Sequence, residues 1–445
     1  MSLEYTQQRV APMPHVAYVL LWYPVFTQPF IFREVEELKK AGLPLTVYSL
    51  YGRSLRKCSD EMRAVACQTH SFGLRAFGRF LFALFRRFFV QPRGTLGLMR
   101  EMVFRNWLHV ESAAEVLWGF LAGVYFARLF TEAGIDLIHA PWPRGAATAA
   151  WAASRLSGIP FSLTARGDNL DPAEPDLLDK MEQCLFIRAN NQADRARMQR
   201  MLAPASRAKI DLVYNSLTLR PEQCLPARFI PPVRLLAVGR FSETKGFEYL
   251  LEACKILKDQ DFSFILTLIG GGGLAAGGYM GPQLTRMRIA FGLEAQVRMP
   301  GLVSHNELPQ LLGTHDIFVA PCVIAPSGER DGIPNVIIEA MAAGLPVIST
   351  QVNAIPEIVR NGETGLTVPQ RDVAALAEAV LYMSAHPDEA RRMAVNGRKL
   401  ALELFDEASN IRKLRDIFIT RYASFAALVP GNFDKPGSHT VERIA

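Results

Sequence analysis

Cysteine is scarce in this chain and follows no pattern. The six residues Cys58, Cys67, Cys184, Cys224, Cys254 and Cys322 are scattered over 445 positions with no CxxC pair. That spacing suggests neither a zinc site nor a disulfide framework, and it points to a reducing compartment. No cluster of His, Asp and Glu suggests a catalytic metal, so none is expected. The cations near Gly239 lack the spacing of a phosphate-binding GxxxxGK[ST] loop. No uninterrupted apolar run is expected to approach the ~20 residues of a spanning helix. Met1 to Pro14 is polar, and the apolar run from Val16 to Trp22 is short and strand-like, so no secretory leader is expected. Low-complexity tracts and solenoid repeats are absent as well. These absences leave a cytoplasmic globular protein, with or without attachment to a membrane surface. The 49% hydrophobic and 21% charged composition agrees with that. The net charge of +6 favours anionic ligands or surfaces.

What is present is a strand–helix rhythm that runs twice. His15 to Leu21 reads as a buried strand, Phe30 to Ala41 as a helix and Leu45 to Leu50 as a second strand. Asp136 to Ala140 and Gly158 to Ala165 are further strands around a helix from Ala146 to Ser157. Ser216 to Pro232 is irregular and proline-bearing, as a linker would be. The rhythm restarts with a strand at Arg234 to Gly239, a helix at Gly246 to Lys258, and strands at Phe262 to Ile269, Ile317 to Pro321 and Leu345 to Thr350. Two α/β units with parallel sheets and a ligand cleft between them are expected. The boundaries are 1–217, a linker at 218–232, 233–410, and a C-terminal helix and polar tail at 411–445.

The stretch DGIPNVIIEAMAAGLPVIST carries the most chemistry. Asp331 and Glu339 stand eight positions apart, one in a Gly/Pro turn and one on the following helix. Pro334 suits the first turn of that helix, and Gly344 suits its left-handed end. A helix start offers N–H groups and a positive dipole end to a phosphate, and nearby carboxylates accept hydrogen bonds from sugar hydroxyls. The plain alternative is a solvated Asp and a surface Glu. Arg240 and Lys245 follow the strand that opens the second unit, where α/β sheets bind ligands. Their cations suit a diphosphate, or are solvated in a loop. Gly271, Gly273 and Ala276 match a degenerate GxGxxA fingerprint, which keeps open an NAD(P)-dependent oxidoreductase. Asp259-Gln260-Asp261 reads as a polar turn. His139 at a strand end either faces the cleft or caps the strand. Asp168 is either an acceptor-side acid or base, or a helix N-cap. Leu74 to Val90 sets arginines among phenylalanines, and reads either as an anionic-membrane surface helix or as core. No nucleic-acid recognition motif is evident.

Asp331, Gly332, Pro334 and the Glu339-Ala-Met-Ala run resemble the C-terminal signature of retaining glycosyltransferases of family four, of the exopolysaccharide and colanic-acid type. That family has the GT-B fold, two Rossmann-like domains facing each other across a cleft. Its signature usually begins with Glu, where this chain has Asp331. The resemblance extends to Arg240 and Lys245, which it implies bind the donor diphosphate. It also takes in the glycine-rich loop at Gly271 and Gly272, and YPVFTQPFIFREVEEL, where Tyr23, Pro24, Phe30, Ile31 and Glu34 match. Thr27-Gln28-Pro29 replaces the family's S-E-T, and Arg166 replaces a histidine that faces the reacting sugar. An arginine cannot serve as a base at neutral pH. Tyr214-Asn215 resembles a family turn and reads as a hinge. The resemblance thus implies a metal-independent hexosyltransferase with no cofactor and a nucleotide-diphosphate sugar as co-substrate. Arg240, Lys245, Asp331 and Arg166 would be catalytic. Gly239, Gly271, Gly272, Gly332, Ile333, Pro334, Asn335 and Glu339 would bind the donor, Glu339 through the ribose. His139, Asp168, Thr27 and Gln28 would face a sugar or lipid-linked sugar acceptor. A protein that binds a nucleotide sugar or scaffolds at a membrane without turnover is the non-enzymatic alternative.

Overall fold

A computed structural model describes residues 13–25, 28–55, 58–104, 110–166, 170, 175–217, 228–271, 279–303 and 307–428. The first lobe runs β1 (Val16–Val25), α1 (Pro29–Lys40), β2 (Leu45–Ser54), α2 (Asp60–Val65), β3 (His70–Ser71), α3 (Phe77–Val90), α4 (Pro92–Met102) and α5 (Val110–Glu132). It continues with β4 (Leu137–Ala140), α6 (Gly145–Ser157), β5 (Phe161–Ala165), α7 (Leu177–Gln183), β6 (Ile187–Ala189), α8 (Gln192–Met201) and β7 (Ile210–Leu212). The second lobe runs β8 (Val233–Arg240), α9 (Phe247–Asp259), β9 (Phe264–Gly271), α10 (Gly281–Ala290), β10 (Val297–Gly301), α11 (Leu308–Thr314) and β11 (Ile317–Ala320). After these come α12 (Asn335–Ala342), β12 (Val347–Thr350), β13 (Leu366–Val368), α13 (Val373–Ala385), α14 (Pro387–Leu404) and α15 (Glu407–Leu428).

Both sheets are parallel, with strand orders β3-β2-β1-β4-β5-β6-β7 and β10-β9-β8-β11-β12-β13. The central strands are covered on both faces, so they read as continuous apolar runs rather than alternations. Val16 to Val19 are fully buried, as are Ile317 to Val319. In each sheet the order reverses beside the first strand, between β1 and β4 and between β8 and β11. The crevice at the carboxyl ends of such a pair is where open α/β sheets receive ligands.

Three expectations need correction. Residues Ala113–Glu132 of α5 are, by length and composition, apolar enough to cross a membrane, contrary to the reading that no run approached that length. In this fold α5 is a packed helix of the first lobe. Gly119 and Gly123 let it lie against α6 so closely that an added Cβ would stand 2.4 Å from the Gly145 carbonyl oxygen or 2.6 Å from that of Ala149. Its aromatic residues Trp118, Phe126 and Phe130 enter the core beside Tyr48, Leu50 and Phe80. Second, Pro334 is the N-cap of α12 rather than its first helical residue, with extended backbone. Gly344 does take the left-handed position after the helix, at φ +77°. Third, the last helix begins at Glu407 and returns to the first lobe. Ile411, Leu414, Phe418 and Tyr422 join the core of Val16, Tyr18 and Phe186, and Arg421 pairs with Asp211 at 2.9 Å. The tail beyond residue 428 lies outside the described residues.

The chain therefore crosses between the lobes twice. The two crossings are tied together, since Leu217 N–H donates to Phe405 O at 2.9 Å and Asn410 Nδ2 donates to Leu404 O at 2.9 Å and Asn215 O at 3.4 Å.

Candidate functional site

The switch point of the second lobe gathers the residues with the strongest sequence signal. β8 ends at Gly239 and Arg240, and Arg240 is exposed there. An added Cβ on Gly239 would press within 3.3 Å of Phe247 and Lys245. Phe241 turns back into the core, and the next residues form a tight turn that presents Lys245. Gly246 closes that turn at φ +62°, and an added Cβ would stand 2.0 Å from the Pro321 carbonyl oxygen. Only glycine fits there. Val323 N–H also donates to Thr244 O at 3.0 Å. Lys245 is thereby fixed between the ends of β8 and β11.

The loop after β11 brings Asp331 to this lysine. Lys245 Nζ lies 3.1 Å from Asp331 Oδ1 and 3.0 Å from Oδ2. The two residues thus pair with each other, where the resemblance assigned one to a diphosphate and the other to a sugar. Asn353 Nδ2 donates to the Asp331 carbonyl at 3.1 Å and so holds the loop. Beyond Gly332 and Ile333, Pro334 opens α12. A pyrrolidine ring has no acceptor, so it does not cap the helix. The start of α12 therefore keeps the anion-attracting character of uncapped N–H groups. Glu339 is buried one turn further on.

The first lobe meets this site through polar side chains. Arg166 is nearly enclosed, its guanidinium 5.0 Å from the ring centres of both Phe30 and Trp142. Such stacking suits a planar, weakly hydrated cation. Arg166 Nη1 donates to Asn215 Oδ1 at 2.9 Å, and Asn215 Nδ2 donates to Asn335 Oδ1 at 3.2 Å. A chain of hydrogen bonds thus runs from the end of β5 to the start of α12. Gly332 faces the first lobe too, where an added Cβ would come within 2.9 Å of Asn191 Nδ2. Asn353 Nδ2 reaches Asp194 Oδ1 at 3.3 Å. Glu357 accepts from Gln192 N–H at 3.0 Å, Ala193 N–H at 2.8 Å and Tyr214 hydroxyl at 3.0 Å. A second-lobe carboxylate therefore sits on the start of α8, where the helix dipole favours it. Burial, and then Glu357, push the Tyr214 phenol upward, so it stays a donor.

Of the acceptor-side residues, His139 is corrected. It is fully buried, within hydrogen-bond distance of Ser162 Oγ at 2.9 Å and Thr164 Oγ1 at 3.2 Å. Tyr18 and Phe418 lie against its ring, with centroids 4.7 and 5.1 Å away. Burial drives its pKa down to about 3, so it is a neutral core histidine beneath α15 rather than a group facing the cleft. Gln28 precedes α1, and its carbonyl accepts from Ile31 N–H at 3.2 Å. Glu34, matched by resemblance, is buried and ion-paired with Arg188, and it accepts from Tyr18 hydroxyl at 2.8 Å. Burial raises its pKa, but Arg188 and Arg166 outweigh this, and the net shift is downward. Thr27, Asp168 and Gly272 lie outside the described residues, as do Gly273 and Ala276. Gly271, at φ +144°, ends β9. A dinucleotide fingerprint belongs after the first strand of its unit, and here that strand is β8. Asp259 ends α9, paired to Lys255, and Gln260-Asp261 form the turn that follows, with Asp261 at φ +55°.

Sequence reasoning missed Asn191, Asp194, Asn353 and Glu357. Asn191 and Asp194 did carry a local signal. Asn191 Oδ1 accepts from Asp194 N–H at 2.7 Å, a helix-capping arrangement. Nothing local marks Asn353 or Glu357, whose first-lobe partners lie more than 140 positions away.

Residues 232–386 match the family model described as glycosyl transferases group 1. The chain is 36% identical over 187 residues to the amylovoran biosynthesis glycosyltransferase AmsK of Erwinia amylovora, a match covering 42% of this chain and 44% of that protein. It is 33% identical over 194 residues to the putative colanic acid biosynthesis glycosyltransferase WcaL of Escherichia coli K12, covering 42% and 45%. The matched stretch thus spans under half the length of these relatives. Among solved structures, Anabaena Alr3699/HepE in complex with UDP and glucose superposes with a TM-score of 0.67 at 17% identity, covering 92% of this chain and all of that one. Sucrose-phosphate synthase from Thermosynechococcus elongatus gives 0.67 at 19% identity, covering 92% and 99%. The two parallel-sheet lobes have the GT-B fold, and the stretch that matches the group 1 glycosyl transferase model lies in the second.

Proposed function

We propose that this protein is a retaining glycosyltransferase that moves a hexose from a nucleotide-diphosphate sugar to a sugar or lipid-linked sugar. The observation that carries the reading is the junction of Lys245, Asp331 and the uncapped start of α12 at the β8/β11 switch point, inside the stretch that matches the group 1 model. In this reading Arg240, Lys245 and the start of α12 take the charge that develops on the departing diphosphate, the role a metal ion plays elsewhere. Asp331 exchanges its lysine partner for hydroxyls of the donor hexose, and Glu339 accepts from the ribose. Arg166 is permanently charged. It stabilises charge between the lobes and does not remove a proton. Retention follows if the acceptor attacks from the face that the diphosphate leaves. The relatives' part in amylovoran and colanic acid biosynthesis supports an exopolysaccharide or lipid-linked oligosaccharide pathway at the cytoplasmic face.

The test is a thermal-shift screen against a panel of nucleotide sugars, followed by transfer assays with chelator present. One donor should raise the melting temperature by mass action. Turnover should persist without added metal, and the product should keep the donor's anomeric configuration. Arg240→Ala and Lys245→Ala should each weaken donor binding and lower turnover by about 10²–10³-fold. Unchanged binding and turnover in both variants would sink the assignment. Binding without transfer to any acceptor would leave a non-catalytic scaffold.

A further inference from the structure

The helix α3 carries an apolar ridge that the fold leaves uncovered. Of its fourteen residues only Phe80 is fully buried, against Trp118, Tyr125 and Phe126. Phe82, Phe85 and Phe89 stand at 72%, 65% and 84% exposure, and Val90 at 70%. Their spacing of three and four residues puts the three phenylalanines within an arc of about 60° on the helix. Leu74 before the helix and Leu96 on α4 are exposed as well. A soluble surface scatters such residues singly, so a contiguous ridge of this kind marks a contact with something else.

The charge around the ridge identifies the partner. From residue 62 to residue 100 there are seven arginines and not one Asp or Glu. Arg75, Arg79, Arg86, Arg93 and Arg100 are all exposed. On α3, Arg79 and Arg86 fall within about 60° of Phe82 around the helix, so they border the ridge. A second copy of this face would bring like charges together with no acid on the segment to answer them. A surface with negative phosphates above an apolar interior answers both features at once, because phenylalanines insert while arginine heads stay at the phosphate level.

We infer that α3 and the start of α4 form a docking surface for an anionic phospholipid bilayer. The helix lies in the interface plane, with Phe82, Phe85 and Phe89 among the acyl chains and the arginines on lipid phosphates. The surface is joined to the carboxyl edge of the first sheet by an aromatic ladder. Phe77 packs on Trp118 at 6.2 Å, Trp118 on Tyr51 at 6.0 Å, and Tyr51 on Trp22 at 5.5 Å, where β1 ends. On the proposed function, docking here would bring that edge to an acceptor anchored in the same bilayer. The docking itself does not depend on turnover.

The experiment is sedimentation of the purified full chain with vesicles of phosphatidylcholine alone or mixed with phosphatidylglycerol. Each basic side chain near an anionic surface contributes about 1 kcal/mol, so binding to the mixed vesicles should exceed that to neutral ones by more than about tenfold and should weaken with salt. The combined Phe82→Ser, Phe85→Ser and Phe89→Ser variant should lose the bound fraction. Arg79→Glu with Arg86→Glu should lose the preference for anionic lipid. Circular dichroism melts should match wild type, since these side chains are exposed. Equal binding to both vesicle types, or no vesicle binding at all, would overturn the inference without recourse to any variant. So would a dimer that the serine variant dissolves, or retention of a DNA duplex in place of vesicles.

Discussion

In the first lobe Glu34, Arg188, Tyr18 and His139 meet beneath α15, while in the second Lys245 and Asp331 meet at the end of a strand beside the cleft. Both groups sit on sheets with the same order around their first strand. Both contain an acid–base pair at hydrogen-bond distance. They differ in cover. Phe418 and Phe186 close over His139, and Arg188 Nε and Nη2 donate to Val213 O at 3.0 Å and Tyr214 O at 3.1 Å. That network finds its partners within the protein. Lys245 and Asp331 are less enclosed, with side chains 11% and 17% exposed against 2% and 6% for Arg188 and Glu34, and an uncapped helix start stands beside them. The same chemistry therefore holds a core together in one lobe and, on the proposed function, receives a ligand in the other.

The largest break in this comparison should come from Glu34→Ala. It strands the Arg188 guanidinium in the interior, which costs about 3–5 kcal/mol. The first lobe should melt well below wild type, and transfer should fall with the folded fraction. A Glu34→Leu/Arg188→Met pair should lose less than the single change, because no charge is then left alone. Lys245→Ala should behave in the opposite way. Its cost of about 3–4 kcal/mol should fall on the transition state, seen as kcat/KM, with the melting temperature close to wild type. If Lys245→Ala unfolds the protein and Glu34→Ala spares it, the contrast between the lobes is wrong.

His139 sharpens the same contrast through pH. Its folded pKa is near 3, below the ordinary histidine value of 6.5. The unfolded chain takes up a proton below pH 6.5 and the folded chain does not, so stability is intact above that pH and declines as pH falls from 6.5 towards 3. At pH 5 the loss is about 2 kcal/mol. His139→Gln keeps two hydrogen-bonding ends and should flatten that slope, as read from denaturant melts between pH 5 and 7. A slope unchanged in the variant would assign the acid sensitivity to other groups.

Much of this architecture could be read from the chain because buried parallel strands are apolar runs. The strands at 16–25, 45–54, 137–140, 161–165, 233–240, 264–271, 317–320 and 347–350 all announced themselves that way. β3, β6, β7, β10 and β13 did not. β10 is an edge strand in which only Val297 is buried, the others are two or three residues long, and β6 has Arg188 at its centre, buried only because Glu34 lies beside it in space. α5 was missed because its apolar length is split between two neighbours, α6 through its glycines and the sheet through its aromatics. Lys245 and Asp331 were legible because glycine and proline fix the turns that carry them. His139 was not, since one residue at a strand end gives no sign of which helix will cover it.

The smallest effect should come from the contact that joins the two regions. Glu357 accepts two N–H groups at the start of α8 and the Tyr214 hydroxyl. Glu357→Gln keeps an acceptor but removes the charge that the helix start favours, a loss of about 0.3–1 kcal/mol. Each lobe keeps its own core, so the melting temperature should move little. The loss should appear in the closed arrangement of the lobes, as faster amide exchange at Gln192 and Ala193. Turnover should change only a few-fold, because neither Lys245 nor Asp331 loses a partner. A melting transition that splits in two would make this contact the chief tie between the lobes, above the crossing at Leu217 and Phe405 and the docking of α15.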